Sequence, residues 1–253
     1  MISSLENLRL VESERLILHE AHDEDRLSRL RERVAAERVQ RNPVIVSSHG
    51  DGFLVLDGAH RVRVLAELGY PLVLVQLVEP PQKAESWGHL LEGVDLTALQ
   101  GLDGIEACEE PCEEPVAVVA LGGGKRAYLR ATGEGLSGVV RALWGLQSLY
   151  PAGVTVRRVD PEGPGEPAAG EALIRYRPFT PEELVEVVRS GAVLPAGITR
   201  FRVRERVLGV RYPLDKMENG EVPARNAELK DFVRRRWEEH RVRYYGEPVV
   251  LFE

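Results

Sequence analysis

Leu54-Val55-Leu56-Asp57-Gly58-Ala59-His60-Arg61 is the stretch from which the rest of the chain can be read. Its first three residues read as a buried strand and Asp57-Gly58 as a tight turn. From His60 a helical spacing runs to Leu68 and stops at Gly69, a residue type common just past a helix end. A helix that starts directly after a strand points unpaired N–H groups and the positive end of its dipole at the turn, so an anion can bind there. Gly58 lets the backbone come close to a phosphate, and His60 and Arg61 add donors. Two readings of the turn stand on these grounds: a phosphate site, or an ordinary strand-to-helix turn carrying a surface arginine.

Working outward, Asp23 to Arg38 has apolar residues at Leu27, Leu30 and Val34, a helical spacing with charge on the other faces. Pro43 to Val46 and Phe53 to Leu56 read as strands joined by the hairpin turn His49-Gly50-Asp51-Gly52, and Leu72 to Val78 as a continuous apolar strand. Residues 1–92 are therefore expected to form a compact α/β unit. The acidic, aperiodic stretch 93–115 is expected to be a linker, and 116–253 a second, mixed α+β unit. In that unit Val116 to Leu121 and Arg126 to Arg130 pair around three glycines, and Val139 to Leu149 is helical. Asp160 to Gly170 is an exposed loop and Leu173 to Arg177 a strand; Pro181-Glu182-Glu183 opens a helix. The end reads as strand (Arg202 to Arg211), helix (Ala227 to His240) and strand (Pro248 to Phe252). The fold class expected is a two-domain α+β chain with the active site in the cleft between the units.

Composition narrows the function classes. With 253 residues, 43% hydrophobic and 29% charged, the chain reads as a soluble globular protein large enough for two modest cores. It has no apolar run long enough to span a bilayer and no signal-peptide pattern at its start, so the expected location is the cytoplasm. The net charge of −7 argues against gripping DNA phosphates as the main task. Arg225 to Arg243 is a local basic stripe, but its interspersed acids make it a solvated amphipathic helix first. Cys108 and Cys112 are too few for a disulfide framework or a closed zinc site and read as incidental linker residues. Gly122-Gly123-Gly124-Lys125 lacks the Ser or Thr of a phosphate loop, and His19 and His22 are three apart where a zinc-protease helix has four.

The segments Asn42-Pro43-Val44-Ile45-Val46, Leu56-Asp57-Gly58-Ala59-His60-Arg61 and Leu65-Ala66-Glu67-Leu68-Gly69 together resemble the ParB/sulfiredoxin superfamily, in which the Gly-x-His-Arg turn binds nucleotide phosphates. Sulfiredoxins carry their essential cysteine where Ala59 stands, so sulfinic-acid repair is excluded. The second unit shows no helix-turn-helix of the chromosome-partitioning branch. The free L-serine kinase branch fits better, through Leu18-His19-Glu20, Ser86-Trp87-Gly88-His89 and Leu194-Pro195-Ala196-Gly197-Ile198-Thr199-Arg200-Phe201.

That resemblance implies a set of roles. Glu20 would take the proton of the serine hydroxyl, and Asp57 would orient that hydroxyl or help hold Mg²⁺. Asn42, Gly58, Ala59, His60 and Arg61 would hold the nucleotide, ATP or ADP, with His60 also acting on the transferred group. Trp87, His89, Thr199 and Arg200 would bind the amino acid, Arg200 pairing with its carboxylate or with the product phosphate. The expected partners are L-serine and an adenine nucleotide, the product O-phospho-L-serine, and the service siderophore or cysteine-related biosynthesis. A homodimer is one option for the assembly. The rival class is a nucleotide- or haem-responsive regulator that binds DNA; no spacing among the histidines and cysteines singles out a haem ligand.

Overall fold

The computed structural model describes residues 3–94, 97–150, 156–160 and 165–247. In chain order the first part comprises α1 (Ser3–Glu6), β1 (Leu8–Glu12), β2 (Leu16–Ile17), α2 (Glu24–Glu37), β3 (Val39–Gln40), β4 (Val44–His49), β5 (Gly52–Asp57), α3 (Ala59–Glu67) and β6 (Leu72–Val78). Five of these strands make one mixed sheet in the order β1-β6-β4-β5-β2. The β4–β5 pair is antiparallel around Gly50 and Asp51, as the hairpin signal predicts, whereas β4 and β6 are parallel with α3 carrying the chain between them.

Period-two alternation decides what this sheet packs against. Val44, Val46 and Val55 face a core shared with Leu65 of α3 and Leu27 and Val34 of α2. Ile45, Leu54 and Leu56, one residue out of step, face the opposite way and join the core under the second sheet. The first sheet is thus buried on both sides, which is why its strands read as continuous apolar runs.

The second part comprises β7 (Glu85–Ser86), β8 (Gly88–Glu92), β9 (Ile105–Cys108), β10 (Ala117–Leu121), β11 (Arg126–Ala131), α4 (Gly135–Gln147), β12 (Arg157–Val159), β13 (Glu171–Tyr176), α5 (Pro181–Arg189), β14 (Thr199–Arg200), β15 (Tyr212–Pro213) and α6 (Val222–Glu238). Six strands form an antiparallel sheet ordered β12-β8-β13-β10-β11-β9. Helix α5 starts with a full capping box: the Thr180 hydroxyl accepts from the Glu183 N–H while the Glu183 carboxylate accepts from the Thr180 N–H.

Three expectations differ from what is found. Residues 93–115, read as a linker, supply β9, which pairs with β11, and place Leu99 and Ile105 in the core. Their acidic residues line the solvent side, and this masked the apolar positions between them. Likewise β8, at the end of the stretch assigned to the first unit, belongs to the second sheet. Residues 202–211 are irregular rather than a strand. Side chains replace the missing neighbour strand there: Gln76 accepts from the Val207 N–H and donates to the Glu205 carbonyl, and Asn42 accepts from the Gly209 N–H. The strand expected at 248–252 lies outside the described residues.

After that crossing segment the chain returns to the first sheet. Tyr212, Leu214, Met217, Leu229 and Val233 complete its core. Strand β1 is an edge of the first sheet, and Asn226 of α6 covers it, accepting from the Leu10 N–H and donating to the Leu10 carbonyl. The basic stripe of α6 is engaged locally, Arg234 with Asp231 and Arg236 over the Phe232 ring. Among the described residues no helix is long and apolar enough to cross a membrane.

Candidate functional site

A cavity of about 1460 Å³ takes in the N-terminal ends of α2 and α3 and the loop from Ala196 to Thr199, and extends along α2 to the segment 203–211 and residues 241–247. One wall is the turn. Asp57 ends β5, and Gly58 turns the chain with φ +107°, a conformation that a side chain would strain. Helix α3 then begins at Ala59, its first N–H groups unpaired in the helix. Arg61 folds back under the turn and donates to the Pro43 carbonyl at 2.5 Å and the Asn42 carbonyl at 3.2 Å. Its second amino group reaches Asp57 at 3.3 Å. In this arrangement Arg61 braces the turn, and Asn42 holds the crossing segment through Gly209.

Asp57 also pairs with Arg206, at 2.6 Å. Partial desolvation pushes its carboxyl pKa up, but Arg61 and Arg206 together outweigh this and hold it below the ordinary value. Both ion pairs fall on Oδ2. One carboxylate at the lip of a phosphate site suits Mg²⁺, which keeps most of its waters and takes its remaining ligands from the substrate phosphates. Among the described residues no cluster of three or more metal-binding side chains occurs. Bound at Asp57, the ion would neutralise charge on the phosphate oxygens.

His60 projects from the first turn of α3 to the start of α2, where its Nε2 accepts from the Asp23 N–H at 3.1 Å. Burial, and then the nearby Arg26 cation, lower its pKa, so at neutral pH the ring is uncharged and its proton sits on Nδ1. Asp23 in turn caps α2, accepting from the Arg26 N–H.

The facing wall is built on Glu20. Its backbone bridges to Leu194, and its carboxylate binds the 197–199 loop: Oε2 accepts from the Gly197 N–H at 2.8 Å, and Oε1 from both the N–H and the hydroxyl of Thr199 at 2.6 Å. A carboxylate has about four acceptor positions, so Oε2 keeps capacity for a substrate hydroxyl. The Thr199 hydroxyl, donating to Glu20, accepts from His19 Nε2 at 2.8 Å. His19 is buried, and desolvation lowers its pKa against the opposing pull of Glu20. His19, Thr199 and Glu20 thus form one hydrogen-bonded chain.

Sequence reasoning assigned Trp87, His89, Thr199 and Arg200 to the amino acid. Thr199 and Trp87 border the cleft, and the Trp87 N–H donates to the Ile198 carbonyl. Arg200 stacks on the Trp87 ring, 4.3 Å from its centroid, and pairs with Asp160 at 2.8 Å. His89 does not line the cleft. It lies fully buried behind the loop, where Nε2 donates to the Gly197 carbonyl at 2.9 Å and Nδ1 accepts from the Tyr150 hydroxyl at 2.6 Å, which in turn accepts from Tyr176. Burial brings its pKa down to about 4. It therefore acts on the loop rather than on a ligand. Arg26 and Arg158, which line the cleft, were missed: each sits in a charged run that reads as ordinary surface.

Comparison with solved structures defines the fold class. SbnI from Staphylococcus aureus, with a C-terminal truncation, superposes with a TM-score of 0.80 at 24% identity, covering 94% of this chain and 100% of that one. A free serine kinase in complex with AMP gives 0.63 at 18% identity, over 83% and 93% of the two chains. A variant of that kinase in complex with ADP gives 0.65 at 18%, over 83% and 94%. The chain thus has the mixed α/β fold of these structures. In sequence it is 27% identical over 252 residues, 98% of both chains, to the ATP-dependent L-serine kinase SbnI of Staphylococcus aureus. No protein-family model matches the chain.

Proposed function

We propose that this protein is a kinase of free L-serine, moving the terminal phosphoryl group of ATP or ADP to the serine hydroxyl to give O-phospho-L-serine. The similarity to an L-serine kinase along 98% of both chains carries the reading. The cleft supports it, since a helix-end phosphate cradle and an acceptor carboxylate border one space large enough for both substrates.

In the reaction the serine hydroxyl donates to Oε2 of Glu20. Its oxygen attacks the terminal phosphorus of the donor as that phosphorus parts from its bridging oxygen. The hydroxyl proton passes to Glu20 and then to solvent, leaving phosphoserine with ADP (from ATP) or AMP (from ADP). The first N–H groups of α3 and the Nδ1–H of His60 hold the phosphates, with Asp57 at the lip for Mg²⁺. His89 and Thr199 position Glu20 and its loop, and Trp87 with Arg200 closes the amino-acid end. The first sheet serves the nucleotide and the second the amino acid. The rival DNA-binding reading has less support, because on α6 Arg234 pairs with Asp231 and Arg236 lies over Phe232, on a chain of net charge −7.

The test is incubation with L-serine, Mg²⁺ and either ATP or ADP, followed by mass detection. Phosphoserine formed with at least one donor supports the reading; none with either overturns it.

A further inference from the structure

The phosphoryl group in transit carries charge on three oxygens between donor and acceptor. A cation must face that point from the side opposite the α3 turn. Arg200 is poorly placed for this, being stacked on Trp87 and paired with Asp160. Arg61 is turned under its own loop.

Arg158 has the opposite character. It lies on β12, an edge strand paired with β8 at His89, and its side chain crosses Gly197. A Cβ on Gly197 would meet the guanidinium at 1.9 Å, so the glycine, at φ +78°, is the floor on which the arginine rests. Glu20, Asp23 and Tyr150 are its electrostatic neighbours, and Arg26 is a second cation beside it. Among the described residues neither arginine side chain forms an ion pair or hydrogen bond, and both line the cleft. Desolvation first, and then the Arg26 cation, lower the pKa of Arg158. His60, at the phosphate end of the cleft, also feels Arg26 and Arg158 as cations.

Resting on the kinase reading, we propose that Arg158, with Arg26 beside it, binds the phosphoryl group in transit between the α3 turn and Glu20. The geometry favours this over the serine carboxylate because Arg158 rests on Gly197, whose N–H binds Glu20 at the acceptor end, and lines the same cleft as His60 at the donor end. Two adjacent cations also suit a dianion better than a single carboxylate. The glycine at 197 thereby gains a reason: it seats an arginine as well as turning the loop.

The test uses the full chain with Arg158→Ala and Arg158→Lys. For Arg158→Ala, kcat falls about 100-fold while the KM for L-serine stays within about threefold. Added guanidinium chloride at non-denaturing concentration restores part of that kcat, which a merely structural role would not allow. A near-normal kcat with the KM for serine raised about tenfold would overturn the assignment, placing Arg158 on the carboxylate. Calorimetry with inorganic phosphate on the protein loaded with AMP or ADP decides independently of turnover. Phosphate binding weakened about tenfold in Arg158→Ala supports the assignment; unchanged affinity overturns it, whether or not the wild type makes phosphoserine. Failure of the wild type alone to make phosphoserine strikes the kinase reading instead. Arg158→Lys keeps the charge and the fold but not the planar fork, and is expected to lie between wild type and Arg158→Ala.

Discussion

Glu20 binds three donors from the loop opposite, and this gives the residue two separable jobs. As an acceptor it fixes the 197–199 loop; in the proposed reaction it also takes the substrate proton. Glu20→Gln separates them. The amide keeps the shape but puts an N–H₂ group where donors already point, at a cost of about 1–3 kcal/mol by urea unfolding. Turnover should fall by at least about 100-fold with nucleotide affinity retained. His89 gives a pH prediction of definite sign. Its folded pKa of about 4 lies below the 6.5 of an exposed histidine, so between those values the unfolded chain binds more protons. Its contribution is complete above about pH 6.5 and is lost as the pH falls to about 4, amounting to about 3 kcal/mol. His89→Phe should flatten that part of the stability–pH curve while lowering stability at pH 7, because the Gly197 carbonyl loses its donor and the Tyr150 hydroxyl its acceptor.

At the scale of elements, the turn into α3 and the loop before β14 are the parts where backbone shape and chemistry coincide. Gly58→Ala puts a side chain at φ +107° against the Arg61 guanidinium. It is expected to cost about 1–2 kcal/mol and to weaken nucleotide binding more than it raises the KM for serine, as calorimetry and initial rates would report. Gly197→Ala displaces Arg158 and should lower kcat instead. The α3 turn was legible because its signal is local: apolar run, Asp-Gly, helical spacing, glycine stop. The loop was legible only through resemblance, since what makes it a site is its bonding to Glu20, some 180 positions away. The irregular segment 202–211 misled for the same reason. Alternating Arg202-Val203-Arg204-Glu205-Arg206-Val207 looks like a strand, yet its backbone partners are the side chains of Gln76 and Asn42.

Across the whole molecule, the two sheets share an apolar core through Ile45, Leu54 and Leu56, and the chain crosses back to the first sheet at Tyr212. The partner of α6 is distant in sequence, Asn226 meeting Leu10 of β1, whereas β9 in the expected linker pairs with the nearby β11 and was hidden by its acidic neighbours. Leu229→Ala, on the buried face of α6 and not among the residues that line the cleft, should destabilise the protein by about 2–5 kcal/mol in denaturant unfolding and leave kcat nearly unchanged at low temperature. In the proposed reaction the turn Asp57 to Arg61 and the carboxylate of Glu20 act on one phosphoryl group from the walls of one cleft. The most direct measurement is ³¹P NMR of L-serine, Mg²⁺ and donor nucleotide mixed with the wild type and, separately, with Glu20→Gln. The account predicts a growing phosphomonoester signal matched by loss of the donor's terminal phosphate in the wild type, and neither change in the variant. Release of inorganic phosphate alone, or equal phosphoserine from both proteins, would contradict it.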